Sequence, residues 1–234
     1  MIIALNNKSN LNKYEFLEYQ EKMGTIKTKA TIVLCPTYLN INLFHLTKIH
    51  LGAQNVSLYD TGAHTGEIAA EDLKSSGVEY CIIGHSERRE QQKETNEEIK
   101  EKIKKLLDHN ITPILCIGET KEEREKGQVE NVILEELNST IMNFSSEEKE
   151  RIIIAYEPIW SIGTGLIPTI EEIDEVLIFI KKILPHTKVL YGGSANEENV
   201  EMLKTSPWID GYLLGGLSLK PESLKEFIKK LEVD

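Results

Sequence analysis

The chain has 234 residues, 28% of them charged and 40% apolar, and a formal net charge of −11. That balance is ordinary for a soluble globular protein, and the excess of acid argues against a general nucleic-acid or anionic-membrane partner. It does not exclude an anionic small molecule, because backbone N–H groups and a single lysine can supply positive potential locally. The three cysteines, Cys35, Cys81 and Cys116, lie in apolar runs without metal-ligand spacing, so buried reduced thiols are expected, with no metal and no cofactor. Met1 to Leu5 is too short for a signal peptide and turns polar at Asn6, and no apolar run is long enough to span a bilayer; a cytoplasmic location is expected.

In chain order, Ile2 to Leu5 reads as a buried strand, and Leu11 to Met23 as a helix closed by Gly24. Thr31 to Cys35 is a strand that stops at Pro36. A short helix is expected over 41–49 and a strand over 55–59. Ile68 to Ser75 is helical and ends at Gly77. Tyr80 to Ile83 is a strand closing on Gly84, and Thr95 to Asp108 a helix with an Ile99, Ile103, Leu106 stripe. Thr112 to Ile117 is a strand, Gln128 to Met142 a helix and Ile152 to Tyr156 a strand. A helix over 169–184 carries Glu171 and Glu172 near its positive end. Lys188 to Tyr191 is a strand, 196–205 a helix, Gly211 to Leu214 a strand, and Pro221 to Leu231 a helix with proline in its first turn.

This is eight strand-then-helix units without a linker or a break in composition. The strands are continuous apolar runs, as expected when both faces are buried in a parallel sheet. An open doubly wound sheet is the competing topology. Eight units in 234 residues favour closure into a single-domain (β/α)8 barrel over 1–234.

In such a barrel the chemistry sits at the carboxyl ends of the strands. Those ends hold Asn6, Asn7 and Lys8 after the first strand and Gly84, His85, Ser86 and Glu87 after the fourth. Glu157 follows the sixth, Gly192, Gly193 and Ser194 the seventh, and Gly215 and Gly216 the eighth. Glu157 precedes Pro158 and a segment with Trp160, Gly163 and Gly165. An acid there is either a base beneath a loop or a turn residue capping the next helix. Glycine pairs let backbone N–H groups approach an anion, and the last two units of a barrel are its usual phosphate site.

The chain resembles the triosephosphate isomerase family over nearly its whole length. The matching segments are Asn6-Asn7-Lys8, Ala53 to Val56, Gly62 to Glu67, Ile83 to Arg89, Pro113 to Glu119, Tyr156 to Trp160, Tyr191 to Ser194 and Leu213 to Gly216. The resemblance implies a TIM barrel that interconverts glyceraldehyde 3-phosphate and dihydroxyacetone phosphate, in glycolysis and gluconeogenesis. It implies Glu157 as base, His85 as neutral proton donor, Lys8 as cationic stabiliser and Asn6 as a hydrogen-bonding partner of substrate oxygen. Gly163, Ser194, Gly215 and Gly216 would hold the phosphate, and Glu87 would support the site. Because His85 precedes Ser86-Glu87-Arg88 it is expected at a helix N-terminus, where the imidazolium is disfavoured. The Gly62 to Glu67 segment resembles the family's protruding loop, whose threonine, here Thr65, enters a neighbouring copy's site in a homodimer.

Arg88 and Arg89 read as ion-pair residues, and Cys116 as packing beside the site. The chain departs from the family pattern at Asn7, where tryptophan is usual, at Leu166-Ile167-Pro168, where Lys-Thr-Ala is usual, and at Leu217, where alanine is usual. None of these removes a catalytic group. An isomerase for a larger phosphorylated ketose, such as a tetrulose phosphate, is the near alternative. A glycosidase using Glu87 and Glu157 is a more distant one.

Overall fold

The computed structural model describes residues 1–162, 164 and 166–233. The strands are β1 (Ile2–Asn6), β2 (Thr31–Cys35), β3 (His50–Ala53), β4 (Tyr80–Ile83), β5 (Thr112–Ile117), β6 (Ile153–Tyr156), β7 (Val189–Tyr191) and β8 (Gly211–Leu214). Each pairs in parallel with the next, and β8 pairs with β1, so the sheet closes into a (β/α)8 barrel. Among the described residues the helices are α1 (Lys13–Met23), α2 (Tyr38–Ile41), α3 (Ala70–Ser75), α4 (Ser86–Gln92), α5 (Asn96–Asp108) and α6 (Lys121–Glu125). They continue with α7 (Val129–Thr140), α8 (Ser146–Glu150), α9 (Ile170–Ile183), α10 (Val200–Leu203) and α11 (Pro221–Glu232).

The strand side chains divide between two cores because successive residues point to opposite faces. Ile2, Ala4, Val33, Cys35, Ile82, Ile114, Cys116, Ile153, Ala155, Leu190 and Leu213 form a cluster made of strand residues alone, which fills the barrel. Ile3, Leu5, Leu34, Ile83, Leu115 and Ile154 pack outward against the helices. Asn6 continues the inward row of Ile2 and Ala4, which places its side chain at the barrel mouth. All three cysteines are buried and free.

Two expectations fail in the second and third units. The strand lies at His50–Ala53 rather than 55–59, and the helix at Tyr38–Ile41 rather than 41–49. Residues 55–59 alternate apolar with polar, the mark of a half-exposed strand, whereas a barrel strand is buried on both faces. His50–Ala53 is interrupted by Gly52, which hides its strand character; a Cβ there would lie 2.4 Å from Cys35 Sγ, so the thiol fills the space. The helix of the seventh unit is also shorter than expected, Val200–Leu203. Asn196 and Asn199 bond each other's backbone N–H groups and hold 196–199 as turns instead. α6 and α8 were not expected; each opens with a capping box, Thr120 with Glu123 and Ser145 with Glu148.

Closure depends on Gly211 at the start of β8. A Cβ there would sit 2.0 Å from the Ile2 carbonyl oxygen and 2.9 Å from its nitrogen, across the β8–β1 seam. Gly211→Ala is expected to lower unfolding stability by about 2–3 kcal/mol, the scale of forced overpacking, as read by denaturant titration. A variant as stable as the parent would show that the seam has slack.

Candidate active site

The sixth strand delivers a carboxylate to the barrel mouth. Pro158 cannot donate to the ladder, so the strand stops, while the Glu157 N–H still bonds the Ile117 carbonyl at 2.8 Å. The neighbouring strand approaches closely because Gly118 lacks a side chain; a Cβ there would lie 1.7 Å from the Glu157 carbonyl oxygen. The Glu157 side chain is buried. Its Oε1 is 3.1 Å from His85 Nε2, and its Oε2 accepts the Ser86 backbone N–H at 3.1 Å.

His85 caps α4, as its position before Ser86-Glu87-Arg88 predicts. Its Nδ1 accepts the Glu87 backbone N–H at 3.2 Å. A backbone N–H can only donate, so Nδ1 carries no proton and the ring proton resides on Nε2, facing Glu157. Cys116 lies beneath the pair. Burial pushes its thiol well up, and the nearby Glu157 carboxylate adds to the effect. It is packing rather than a nucleophile.

Lys8 enters from the first strand with its backbone in the left-handed region, φ 50°. The Asn6 side chain accepts the Lys8 N–H at 3.0 Å, and Gln54 Nε2 donates to the Lys8 and Cys35 carbonyls at 2.9 Å each. Lys8 Nζ lies 2.5 Å from Glu87 Oε1. Gly215 lies opposite, where a Cβ would be 3.3 Å from Lys8 Cε.

Asn6, Lys8, His85, Glu157, Ser194, Gly215 and Gly216 line one cavity of about 260 Å³, joined by Gly192, Gly193 and Leu217. Gly215 and Gly216 open a 3₁₀ turn, Gly216–Leu219, whose first residues line the cavity. The first glycine pair, Gly192-Gly193, does not open a helix, since 194–199 intervenes before α10. There the Ser194 hydroxyl donates to the Ser161 carbonyl at 2.6 Å, and the Ser194 N–H donates to Ser161 Oγ at 3.3 Å.

Gly163 lies outside the described residues. Glu87 does not line the cavity but touches Lys8 and His85 from behind. Thr65 is on an exposed loop away from the lining. Leu166 and Ile167 are exposed, whereas Pro168 is buried. As expected, Arg88 and Arg89 form ion pairs, Arg88 with Glu94 at 3.1 Å and Arg89 with Glu136 at 3.4 Å.

Sequence reasoning passed over Glu119, although it follows the fifth strand and the strand-end rule would have found it. Glu119 is fully buried. It accepts from Trp160 Nε1 and Arg124 Nε, each at 2.8 Å, and from the Tyr156 hydroxyl at 3.1 Å. Arg124 also lies over the Trp160 ring, 5.4 Å from its centroid. This cluster fixes the turn Ile159–Ser161 directly after Glu157. Gln54 was also missed; no local signal marks a glutamine that reaches two carbonyls on other strands.

A closed barrel with a buried carboxylate, an imidazole and an ammonium at the carboxyl ends of its strands defines the class of (β/α)8 barrel enzymes. Comparison with known proteins narrows that class. The triosephosphate isomerase family model matches residues 1–231. Triosephosphate isomerase of Dictyoglomus turgidum is 40% identical over 97% of this chain and 98% of its own length. That of Francisella philomiragia is 38% identical over 86% of this chain and 84% of its own. The chain belongs to the triosephosphate isomerase family.

The hydrogen bonds around His85 predict one tautomer. In nitrogen NMR of labelled protein at pH 7, Nδ1 is expected to show the shift of a bare ring nitrogen and Nε2 that of a protonated one. A doubly protonated ring would contradict the assignment.

Proposed function

We propose that the protein interconverts glyceraldehyde 3-phosphate and dihydroxyacetone phosphate by proton transfer through an enediolate. The observation that carries this reading is the 3.1 Å contact of Glu157 with His85 Nε2, inside the cavity that Lys8 and the glycine turns line. Glu157 takes the proton from the carbon next to the carbonyl, and the C–H electron pair becomes the new C=C bond. The carbonyl π pair moves onto oxygen, where the His85 Nε2–H meets it. His85 Nε2 gives its proton to that oxygen and takes the hydroxyl proton from the neighbouring oxygen, while the protonated Glu157 returns its proton to the former carbonyl carbon. The C=C pair forms the new C–H bond, and the deprotonated oxygen becomes the carbonyl.

Glu157 Oε1 faces the same N–H that the substrate's carbonyl oxygen requires. Substrate oxygen therefore takes over that donor and releases the carboxylate to act as base. Burial favours this exchange, because charge developing on oxygen meets fixed donors rather than mobile water. Lys8 Nζ pairs with Glu87, one carboxylate partner among the described residues, and an ammonium has three N–H bonds to share with the enediolate oxygen and the phosphate. Asn6 holds the Lys8 backbone and supplies a further polar group at the mouth. Gly215 and Gly216 would give the phosphate backbone N–H donors, and Ser194 would add its own by exchanging its bonds to Ser161 for the phosphate; Gly163 joins them by resemblance. Glu87 orients the Lys8 ammonium and, through its own N–H, the imidazole.

The family resemblance extends to assembly as a symmetric homodimer. Thr65 would then complete the site of a second copy. Supporting this, residues 60–67 are exposed, and Tyr59 stacks on His64 with ring centroids 4.0 Å apart, bracing the base of the loop. Leu39 on α2 is 90% exposed and Tyr14 on α1 75%, and Asn40 of α2 bonds the Leu11 carbonyl just before α1 at 2.8 Å. Such apolar groups are what an interface covers.

Glu157→Asp is expected to lower turnover by about 10²–10³-fold, the penalty for withdrawing a catalytic group by roughly 1 Å, in a coupled assay with dihydroxyacetone phosphate. Near-normal turnover would remove Glu157 from the role of base. For assembly, sedimentation at micromolar concentration is expected to give twice the chain mass, and a fully active monomer would contradict the dimer.

A further inference from the structure

β4 and β6, which carry His85 and Glu157, do not pair; β5 lies between them. Their separation is therefore set by how the end of β5 is held to both. An ion pair behind the barrel mouth makes that link. The Arg89 guanidinium donates to the Gly84 carbonyl at 2.8 Å, immediately before His85, and to the Cys116 carbonyl of β5 at 3.3 Å. It also bonds Asn96 Oδ1 at 2.5 Å and lies 3.4 Å from Glu136 Oε1. The second carboxylate oxygen of Glu136, on α7, accepts the Gly118 N–H at 2.9 Å. Gly118 is the residue packed against the Glu157 backbone.

We propose that Glu136 is a positioning residue for the isomerisation, which with Arg89 ties the ends of β4 and β5 together and so sets the distance between His85 and Glu157. The inference rests on the assignment of His85 and Glu157 made above. Neither Glu136 nor Arg89 lines the cavity, so their effect reaches the substrate only through the backbone.

The brace is sensitive to pH. Burial pushes the Glu136 carboxyl up to about 7, against the opposing pull of Arg89 and the Gly118 N–H. The charged and titratable groups facing it are Arg89 of α4, Cys116 of β5, Glu123 of α6 and Glu157 at the end of β6; the two carboxylates add to the rise. Above that pH the ionised carboxylate pairs with Arg89. Below it the carboxyl is neutral, the ion pair is lost and the strand ends are held less firmly. Activity therefore falls as pH drops through about 7.

The test compares kcat/KM of the parent protein and Glu136→Gln between pH 5.5 and 8.5, with dihydroxyacetone phosphate. The substrate's own phosphate titrates in both, so the ratio of the profiles isolates Glu136. Glutamine resembles the neutral carboxyl. The variant is expected to be slower by about tenfold at pH 8 and to match the parent within about twofold at pH 5.5, with KM nearly unchanged at both. A ratio that does not vary with pH, whether unity or a constant deficit, would overturn the proposal and leave Glu136 a structural residue. If Glu136→Gln does not fold, Glu136→Asp carries the test. It keeps the charge but cannot span both partners, so kcat at pH 8 is expected to fall while the pH dependence near 7 remains; unchanged kcat would overturn the proposal. Glu157→Asp, assayed alongside, separates the two claims. If it is crippled while the Glu136 ratio is flat, only the positioning role fails; if it is fully active, the assignment of the base fails.

Discussion

The contact between His85 and Glu157 spans a strand. Residues on paired strands take their spacing from ladder hydrogen bonds, but these two follow the ends of β4 and β6, with β5 between. A 3.1 Å approach across an intervening strand requires that strand's end to be thin and fixed. Gly118 makes it thin, since any side chain there would meet the Glu157 carbonyl. The Glu157 N–H bond to Ile117 fixes the backbone, and the Ser86 N–H fixes the second carboxylate oxygen. β5 lends no side chain to the cavity lining, yet its last residues govern the geometry of those that do.

The same economy explains how a chain of net charge −11 can receive an anion. Charge far from the site is screened over roughly 10 Å at ordinary ionic strength, so only the local donors decide. Lys8 supplies the full positive charge, and it stands in a left-handed backbone conformation that costs a non-glycine residue on the order of 1 kcal/mol. The Asn6 side-chain amide oxygen and the two bonds from Gln54 hold that conformation. The strain aims the ammonium across the mouth toward Gly215, where the absence of a Cβ leaves it room.

What the sequence displays and what it conceals divide along physical lines. Apolar runs ending in glycine, proline or an acid locate strands such as β4 and β5, because double burial and strand termination are local properties. β3 escapes because Gly52 was selected by a cross-strand contact with Cys35 rather than by strand propensity. The carboxylate, imidazole, lysine and glycine turns are legible because a barrel assigns every strand end to one face. The α6 and α8 capping boxes were also local and readable; their Thr-x-x-Glu and Ser-x-x-Glu spacing is plain in the sequence. Gln54 and the pairing of Glu136 with Gly118 join residues far apart in the chain, and no local pattern specifies either.

Those long-range partners share a property. Glu94, Glu119 and Glu136 are carboxylates behind the strand ends, each held by donors from other elements. Glu94 meets Arg88 and Lys102; Glu119 meets Trp160, Arg124 and Tyr156; Glu136 meets Arg89 and the Gly118 N–H. A buried ion pair adds little net stability, but removing one partner costs about 3–5 kcal/mol, because the other charge is left unpaired. That asymmetry suits a site built on loops. An apolar contact tolerates a shift of a few tenths of an ångström at small cost, whereas a buried carboxylate with several directed donors does not. Placing such groups at Glu94 after α4, Glu119 after β5 and Glu136 on α7 converts loose strand ends into fixed points. The reacting groups in front of them can then be few and lightly anchored.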